Sequence, residues 1–151
     1  RLEGRDIRAV VDATRDLLVN VLRYKPFLIK PNNHELSEIA GVKLTNDNEI
    51  VTAARMMQAK GARNVLVSMA GDGALLLDEQ GSVHRIGCPK GKVVNSVGAG
   101  DSMVAGFVAG YQQSGGDYAA ALKLGTACGS ATAFSLGLAT KADIDKLLKT
   151  M

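Results

Sequence analysis

Residues 95–101 read Asn95-Ser96-Val97-Gly98-Ala99-Gly100-Asp101, and the pattern that follows turns helical. Met103, Val104, Phe107, Val108 and Tyr111 recur at the spacing of one helix face, which predicts a helix over residues 101–113. Gly98 and Gly100 carry no obstructing side chain, so their backbone N–H groups can converge on one oxygen or phosphate. The helix behind them adds unpaired donors and the positive end of its dipole. Asp101 stands at that helix start, where a carboxylate can take a proton from a hydroxyl while the amides hold a transferring group. A glycine turn followed by an acid also serves as a plain helix start that binds nothing. The bare G-x-G-D spacing leaves both readings open.

Working outward, short apolar runs alternate with helical patterns. Strands are expected at residues 8–12, 27–29, 64–69, 74–77, 82–86 and 92–95, and helices at 16–24, 33–40, 46–60, 117–135 and 141–149. Gly41 and Gly61 stop the second and third helices, Asn46 or Thr45 caps the third, and Thr140 with Asp143 makes a capping box for the last. Residues 71–73, Gly-Asp-Gly, are read as a tight turn whose glycines supply positive φ, opening an antiparallel meander. The fold class is therefore α/β, with a mostly parallel sheet and one antiparallel piece.

The chain has 151 residues, 46% hydrophobic and 22% charged, which suits one globular domain and excludes wholesale disorder. Lys plus Arg number 18 against 15 Asp plus Glu, a net charge of +3 with no basic run. Aromatics are 4% and Trp is absent, so neither nucleic acid nor a membrane is an expected partner. Cys88 and Cys128 share no paired spacing and are expected to be reduced, buried thiols of a cytoplasmic protein. No G-x-G-x-x-G follows the first strand, which disfavours a Rossmann oxidoreductase.

The wider pattern resembles a known family. Asn95-Ser-x-Gly-Ala-Gly-Asp101 followed by Ser102-Met103-Val104-Ala105-Gly106-Phe107 is similar to the C-terminal signature of the PfkB, or ribokinase-like, carbohydrate kinases. Lys30-Pro31-Asn32 with Glu35 resembles that family's N-x-x-E motif, and residues 68–74 its nucleotide-side turn. Asn rather than Asp at position 95, IKPNxxEL upstream and ACGSATA at residues 127–133 are similar to the phosphofructokinase-type branch.

The resemblance implies the C-terminal part of a ribokinase-like doubly wound domain, residues 1–151 forming its nucleotide-binding portion with the lid half absent. Residues 1–12 are read as entry at a mid-sheet strand. It implies ATP-dependent phosphoryl transfer to a sugar phosphate, fructose 1-phosphate to fructose 1,6-bisphosphate first. The alternatives are tagatose-6-phosphate kinase or a non-catalytic nucleotide-binding fragment. Asp101 would be the catalytic base, and Gly98, Ala99 and Gly100 the anion hole. Lys30, Asn32, Ser68, Gly71, Gly73, Gly129, Ser130 and Ala133 would contact the nucleotide, and Glu35 would reach Mg²⁺ through water. The implied partners are the N-terminal half and a second copy in a homodimer. The 151 residues by themselves are expected to turn over little sugar.

Overall fold

The computed structural model describes Arg5 and residues 7–151. Of the entry stretch, residues 1–4 and 6 lie outside the described residues. Five strands form one sheet in the order β1-β2-β3-β4-β5: Val10–Val11, Leu28–Ile29, Asn64–Ser68, Ala74–Leu77 and Val83–Ile86. β1 pairs parallel with β2, and β2 with β3, Val10 lying opposite Leu28 and Leu28 opposite Asn64. Residues 69–73 between β3 and β4 are too few for a parallel crossover, which takes about a dozen, so the chain turns back there. Asp78 N–H donates to Ser82 O at 3.0 Å and closes the turn after β4. The sheet is mixed, with the antiparallel meander at the expected place.

The chain divides into two compact units, one of residues up to 69 with 75–83 and one of residues 70–74 with 84–151. In the first, α1 (Arg15–Val21), α2 (Asn33–Ala40) and α3 (Asp47–Ala59) connect the parallel strands. α1 runs into a 3₁₀ turn, Leu22–Tyr24, and Thr14 takes the N-cap position without a side-chain bond. α2 ends at Gly41, whose φ of 70° is the left-handed stop that glycine suits. Asn46 caps α3 by accepting from Glu49 N–H. Ile50, Ala53, Ala54 and Met57 line its buried side, packed with Leu18, Leu22, Ile29, Leu36, Val65, Val67, Leu75 and Leu77. Asn64 ties β2 to the β4 turn, donating to Phe27 O at 2.8 Å and accepting from Glu79 N–H at 2.9 Å.

The second unit is built on α4 (Ala99–Gln113) and α5 (Tyr118–Ala133), with α6 (Lys141–Leu148) against α5. Asp117 caps α5 by accepting from Ala119 and Ala120 N–H, and Thr140 and Asp143 form the expected capping box of α6. The Thr140 hydroxyl and N–H, bonded to the Asp143 carboxyl, hold it below its ordinary value. Burial pushes the Cys128 thiol up, and both cysteines are free and half-buried rather than fully buried.

Three local expectations differ. Residues 92–95 form no strand: Val94 and Asn95 N–H both donate to Ala133 O, at 2.8 and 3.1 Å, so this stretch is bound to the end of α5 instead of a ladder. In the turn after β3, Ala70 (φ 46°) and Gly73 (φ 88°) take the positive φ, and Gly71 does not. α4 starts two residues before the expected 101, and its buried stripe is Met103, Gly106, Phe107 and Gly110, with Val104, Val108 and Tyr111 only half-buried. Apolar spacing alone hides a stripe whose partner helix approaches through glycines.

That approach is tight. A Cβ on Gly125 would lie 2.8 Å from Met103 O, and one on Gly110 would lie 2.9 Å from the Ala121 Cα. Helix propensity favours alanine over glycine by about 1 kcal/mol, while forcing a methyl against backbone costs about 1–3 kcal/mol. Gly125→Ala is therefore expected to destabilise the protein, read as a lower urea midpoint at unchanged slope. An equal or higher midpoint would show that the helices do not touch this closely.

Candidate active site

The residues expected to carry chemistry fall into two sets, one in each unit. In the first unit, Lys30 follows β2 and Asp12 follows β1, both at the carboxyl ends of parallel neighbours, where open α/β sheets place their ligands. Lys30 is buried, and its Nζ lies 3.5 Å from Asp12 Oδ1. The sequence places Lys30 beside Asn32 and Glu35 but gives no local signal of Asp12, which comes from a separate strand.

Asn32 and Glu35 start α2 together. Asn32 Oδ1 accepts from Glu35 N–H at 2.8 Å, and Asn32 N–H donates to Glu35 Oε2 at 2.9 Å. This is a reciprocal capping box with Asn in the Ser/Thr place. The N-x-x-E motif thus has a structural job within α2, and one Glu35 oxygen is engaged in it. Ser68 ends β3 opposite Asn32 in an isolated parallel bridge, its N–H donating to Pro31 O at 3.1 Å. Lys30, Asn32, Glu35 and Ser68 are thereby gathered along one sheet end, and His34 is exposed on α2.

In the second unit, Gly71 is exposed and a Cβ there would meet nothing within 4 Å, so packing does not demand a glycine. Gly73 is different: a Cβ would fall 2.1 Å from Ile86 O, so a close backbone passage explains it without a ligand.

Gly98 is the N-cap of α4, with φ of 80°, and Asp101 sits exposed in the first turn. Ser102 N–H makes the first helical bond, to Gly98 O at 2.9 Å. Ala99 N–H donates to Ser96 O at 3.2 Å, so this amide, expected in the anion hole, is already engaged. Gly98, Gly100 and Asp101 N–H have no partner among the described residues. These three donors, the dipole end of a helix and a carboxylate on the same turn can hold an anionic group beside a proton acceptor. Asn95 shapes the approach: its Oδ1 accepts from Val97 N–H at 3.0 Å and its Nδ2 donates to Leu136 O at 3.4 Å.

Along α5, Gly129 is buried against the same first turn; a Cβ there would lie 3.0 Å from Ala99 O and 3.2 Å from Met103 Cβ. Close packing explains this glycine. Ser130 is buried with its hydroxyl 3.7 Å from the Cys88 thiol, and Ala133 is half-buried with its carbonyl holding residues 94 and 95. Thr132, which lies within the ACGSATA stretch but has no role of its own in the sequence analysis, donates from Oγ1 to Ser102 Oγ at 2.9 Å. Its signal, a hydroxyl near a helix end opposite a serine in another helix's first turn, exists only once the two helices are paired.

The pattern of the pfkB family carbohydrate kinases matches residues 5–145. The chain is 46% identical to 1-phosphofructokinase of Bacillus subtilis (strain 168) over 144 residues, 95% of this chain and 47% of that protein. It is 40% identical to D-tagatose-1-phosphate kinase of Bacillus licheniformis over 145 residues, 95% of this chain and 46% of that protein. In fold it is similar to Arabidopsis thaliana ribokinase complexed with ribose and ATP, with a TM-score of 0.82 at 22% identity over 95% of this chain and 48% of that one. The chain spans about half the length of the curated relatives it matches. With the mixed sheet, the Asn32–Glu35 helix start and the Gly98–Asp101 turn matched along almost its whole length, the chain belongs to the pfkB family of carbohydrate kinases.

Proposed function

We propose that residues 1–151 form the nucleotide and catalytic-base portion of one ribokinase-like domain, and that the complete protein transfers the γ-phosphoryl group of ATP to a ketohexose 1-phosphate. The supporting observation is the first turn of α4, where the Gly98, Gly100 and Asp101 amides are unengaged beside the Asp101 carboxylate. In phosphoryl transfer most of the catalysis is positioning and charge neutralisation, which these groups supply. Asp101 accepts the proton of the acceptor hydroxyl, and the amides hold the transferring oxygens. Lys30, buried with its Nζ 3.5 Å from Asp12 Oδ1, offers a point charge to phosphate. Ser68, Gly71 and Ser130 lie against the nucleotide, and Gly73, Gly129 and Ala133 contribute the backbone that shapes its slot.

Asn32 and Glu35 would help hold Mg²⁺ with the phosphates, Glu35 through water, and the ion would supply neutralisation of phosphate charge. Among the described residues no group of three or more His, Cys, Asp or Glu is placed to hold a metal, and Glu35 keeps one carboxylate oxygen outside its capping bond. This fits an ion bound mainly through substrate and water, with Glu35 at its edge. The free thiols of Cys88 and Cys128 fit a reducing, cytoplasmic setting. Among the described residues no helix is long and apolar enough to cross a membrane.

Both named relatives act on a ketohexose carrying its phosphate at C1. Fructose 1-phosphate and tagatose 1-phosphate differ only at C4, so one acceptor geometry at C6 serves both. The alternatives to fructose 1-phosphate are the tagatose 6-phosphate expected from the motif and tagatose 1-phosphate, which the second relative's name brings in. The higher identity to the fructose enzyme favours fructose 1-phosphate. A coupled assay of the complete protein should give a higher kcat/KM for fructose 1-phosphate than for tagatose 1-phosphate or tagatose 6-phosphate. MgATP binding without turnover of any of these would leave a non-catalytic nucleotide-binding protein. The 151 residues without the remaining half are expected to turn over little.

Two substitutions in the complete protein test the roles. Asp101→Asn should lower kcat by about 10²–10⁴-fold with MgATP affinity by calorimetry nearly unchanged. A drop of only a few-fold removes Asp101 as the base. Glu35→Gln keeps a side chain that can complete the capping box but loses the charge. It should raise the Mg²⁺ concentration needed for half-maximal activity while leaving the thermal midpoint in place. A lowered midpoint with an unchanged Mg²⁺ requirement would confine Glu35 to the helix start.

A further inference from the structure

The end of α5 holds the Gly98–Asp101 turn from both sides, and one side chain does most of it. Thr132 is buried, 1% exposed, and its hydroxyl is used twice: it donates to Ser102 Oγ at 2.9 Å and accepts Ala139 N–H at 3.2 Å. A helical threonine ordinarily turns its hydroxyl back to a carbonyl of its own preceding turn. Thr132 instead bonds outside its helix, to the residue that follows Asp101 and to the loop that returns from α5. In that loop Leu138 lies close over Gly98, its Cδ2 3.1 Å from where a Cβ would stand. Backbone bonds complete the grip, with Ala133 O receiving Val94 and Asn95 N–H.

We propose that Thr132 is a positioning residue for phosphoryl transfer: through Ser102 on one side and Ala139 on the other, its hydroxyl fixes the first turn of α4 and hence the Asp101 carboxylate and the Gly98 and Gly100 amides. This rests on the reading of Asp101 as the base. The physical argument is that a reacting carboxylate displaced by a fraction of an ångström loses rate more than affinity. Ser102 Oγ accepts the Thr132 proton and Ala139 N–H needs the Thr132 oxygen. Replacing the hydroxyl with an isosteric methyl takes a donor from Ser102 Oγ and an acceptor from Ala139 N–H in a partly buried place.

The test compares Thr132→Val, Thr132→Ser, Ser102→Ala and the Val/Ala double variant in the complete protein. Thr132→Val should reduce kcat about tenfold with KM for MgATP and sugar phosphate within about twofold, and Thr132→Ser should restore at least half of the lost rate. The kcat losses of Thr132→Val and Ser102→Ala should fail to multiply in the double variant, because they break the same link. Independently of turnover, amide hydrogen exchange in Thr132→Val should quicken at residues 98–102 and stay unchanged at residues 105–110. Unchanged exchange at residues 98–102, or losses that multiply, overturns the proposal. A wild-type protein that turns over no ketohexose phosphate defeats the reading of Asp101 instead, and the exchange measurement still decides whether Thr132 holds the turn.

Discussion

Gly106, Gly110, Gly125 and Gly129 let α4 and α5 come together until backbone meets backbone, and the rest of the second unit depends on that approach. A Cβ on Gly106 would stand 2.6 Å from the Cys128 sulfur, and one on Gly129 would stand 3.0 Å from Ala99 O. With ordinary side chains there, α5 would stand away from the first turn of α4, and the Thr132 hydroxyl would not reach Ser102. The four glycines cost helix propensity, roughly 1 kcal/mol each relative to alanine. The buried contact of Met103, Phe107, Ala121, Leu122, Ala127 and Ala131 offsets that cost. A helix start whose first amides are unpaired gains no stability through those amides. Its rigidity has to come from the packing behind it.

The first unit solves the same problem by local bonds. Asn32 and Glu35 satisfy each other's backbone N–H, so α2 begins with two of its orphan donors already paired. The start of α2 therefore carries a side-chain cap, and the start of α4 does not. The start of α4 leaves the Gly98, Gly100 and Asp101 amides unpaired among the described residues, whereas the start of α2 engages Asn32 Oδ1 and one Glu35 oxygen and leaves the other Glu35 oxygen outside the box.

How much of this was legible in the sequence follows from the range of each interaction. α2 from Asn33 to Ala40 and the Thr140–Asp143 box stand where the sequence puts them, and of the two cap candidates Thr45 and Asn46 the structure takes Asn46, because each rests on residues three or four apart. The Gly98–Asp101 turn and the family were legible for a related reason: both rest on particular residues at consecutive positions. The illegible parts are those with partners far along the chain. Residues 92–95 have strand composition yet are claimed by the Ala133 carbonyl, and the start of α4 moved to Ala99 once Gly98 took the cap. Ala99 looked like a donor of the anion hole until Ser96 accepted its N–H.

Glycines divide in the same way, and the division bears on how a motif is to be weighed. Gly73 and Gly129 belong to stretches that resemble nucleotide contacts, yet each is required by a backbone or helix passing close by. Gly71 meets no neighbour and has no positive φ, so packing offers no account of it. Gly98 has both a left-handed φ and Leu138 close by, and it also precedes the unpaired amides. Motif positions therefore carry unequal weight. A glycine explained by its own fold adds little to a functional assignment. One whose bareness serves no internal contact adds more. By that measure packing leaves Gly71 and the unpaired amides of the α4 turn unexplained, while Gly73 and Gly129 belong to the frame.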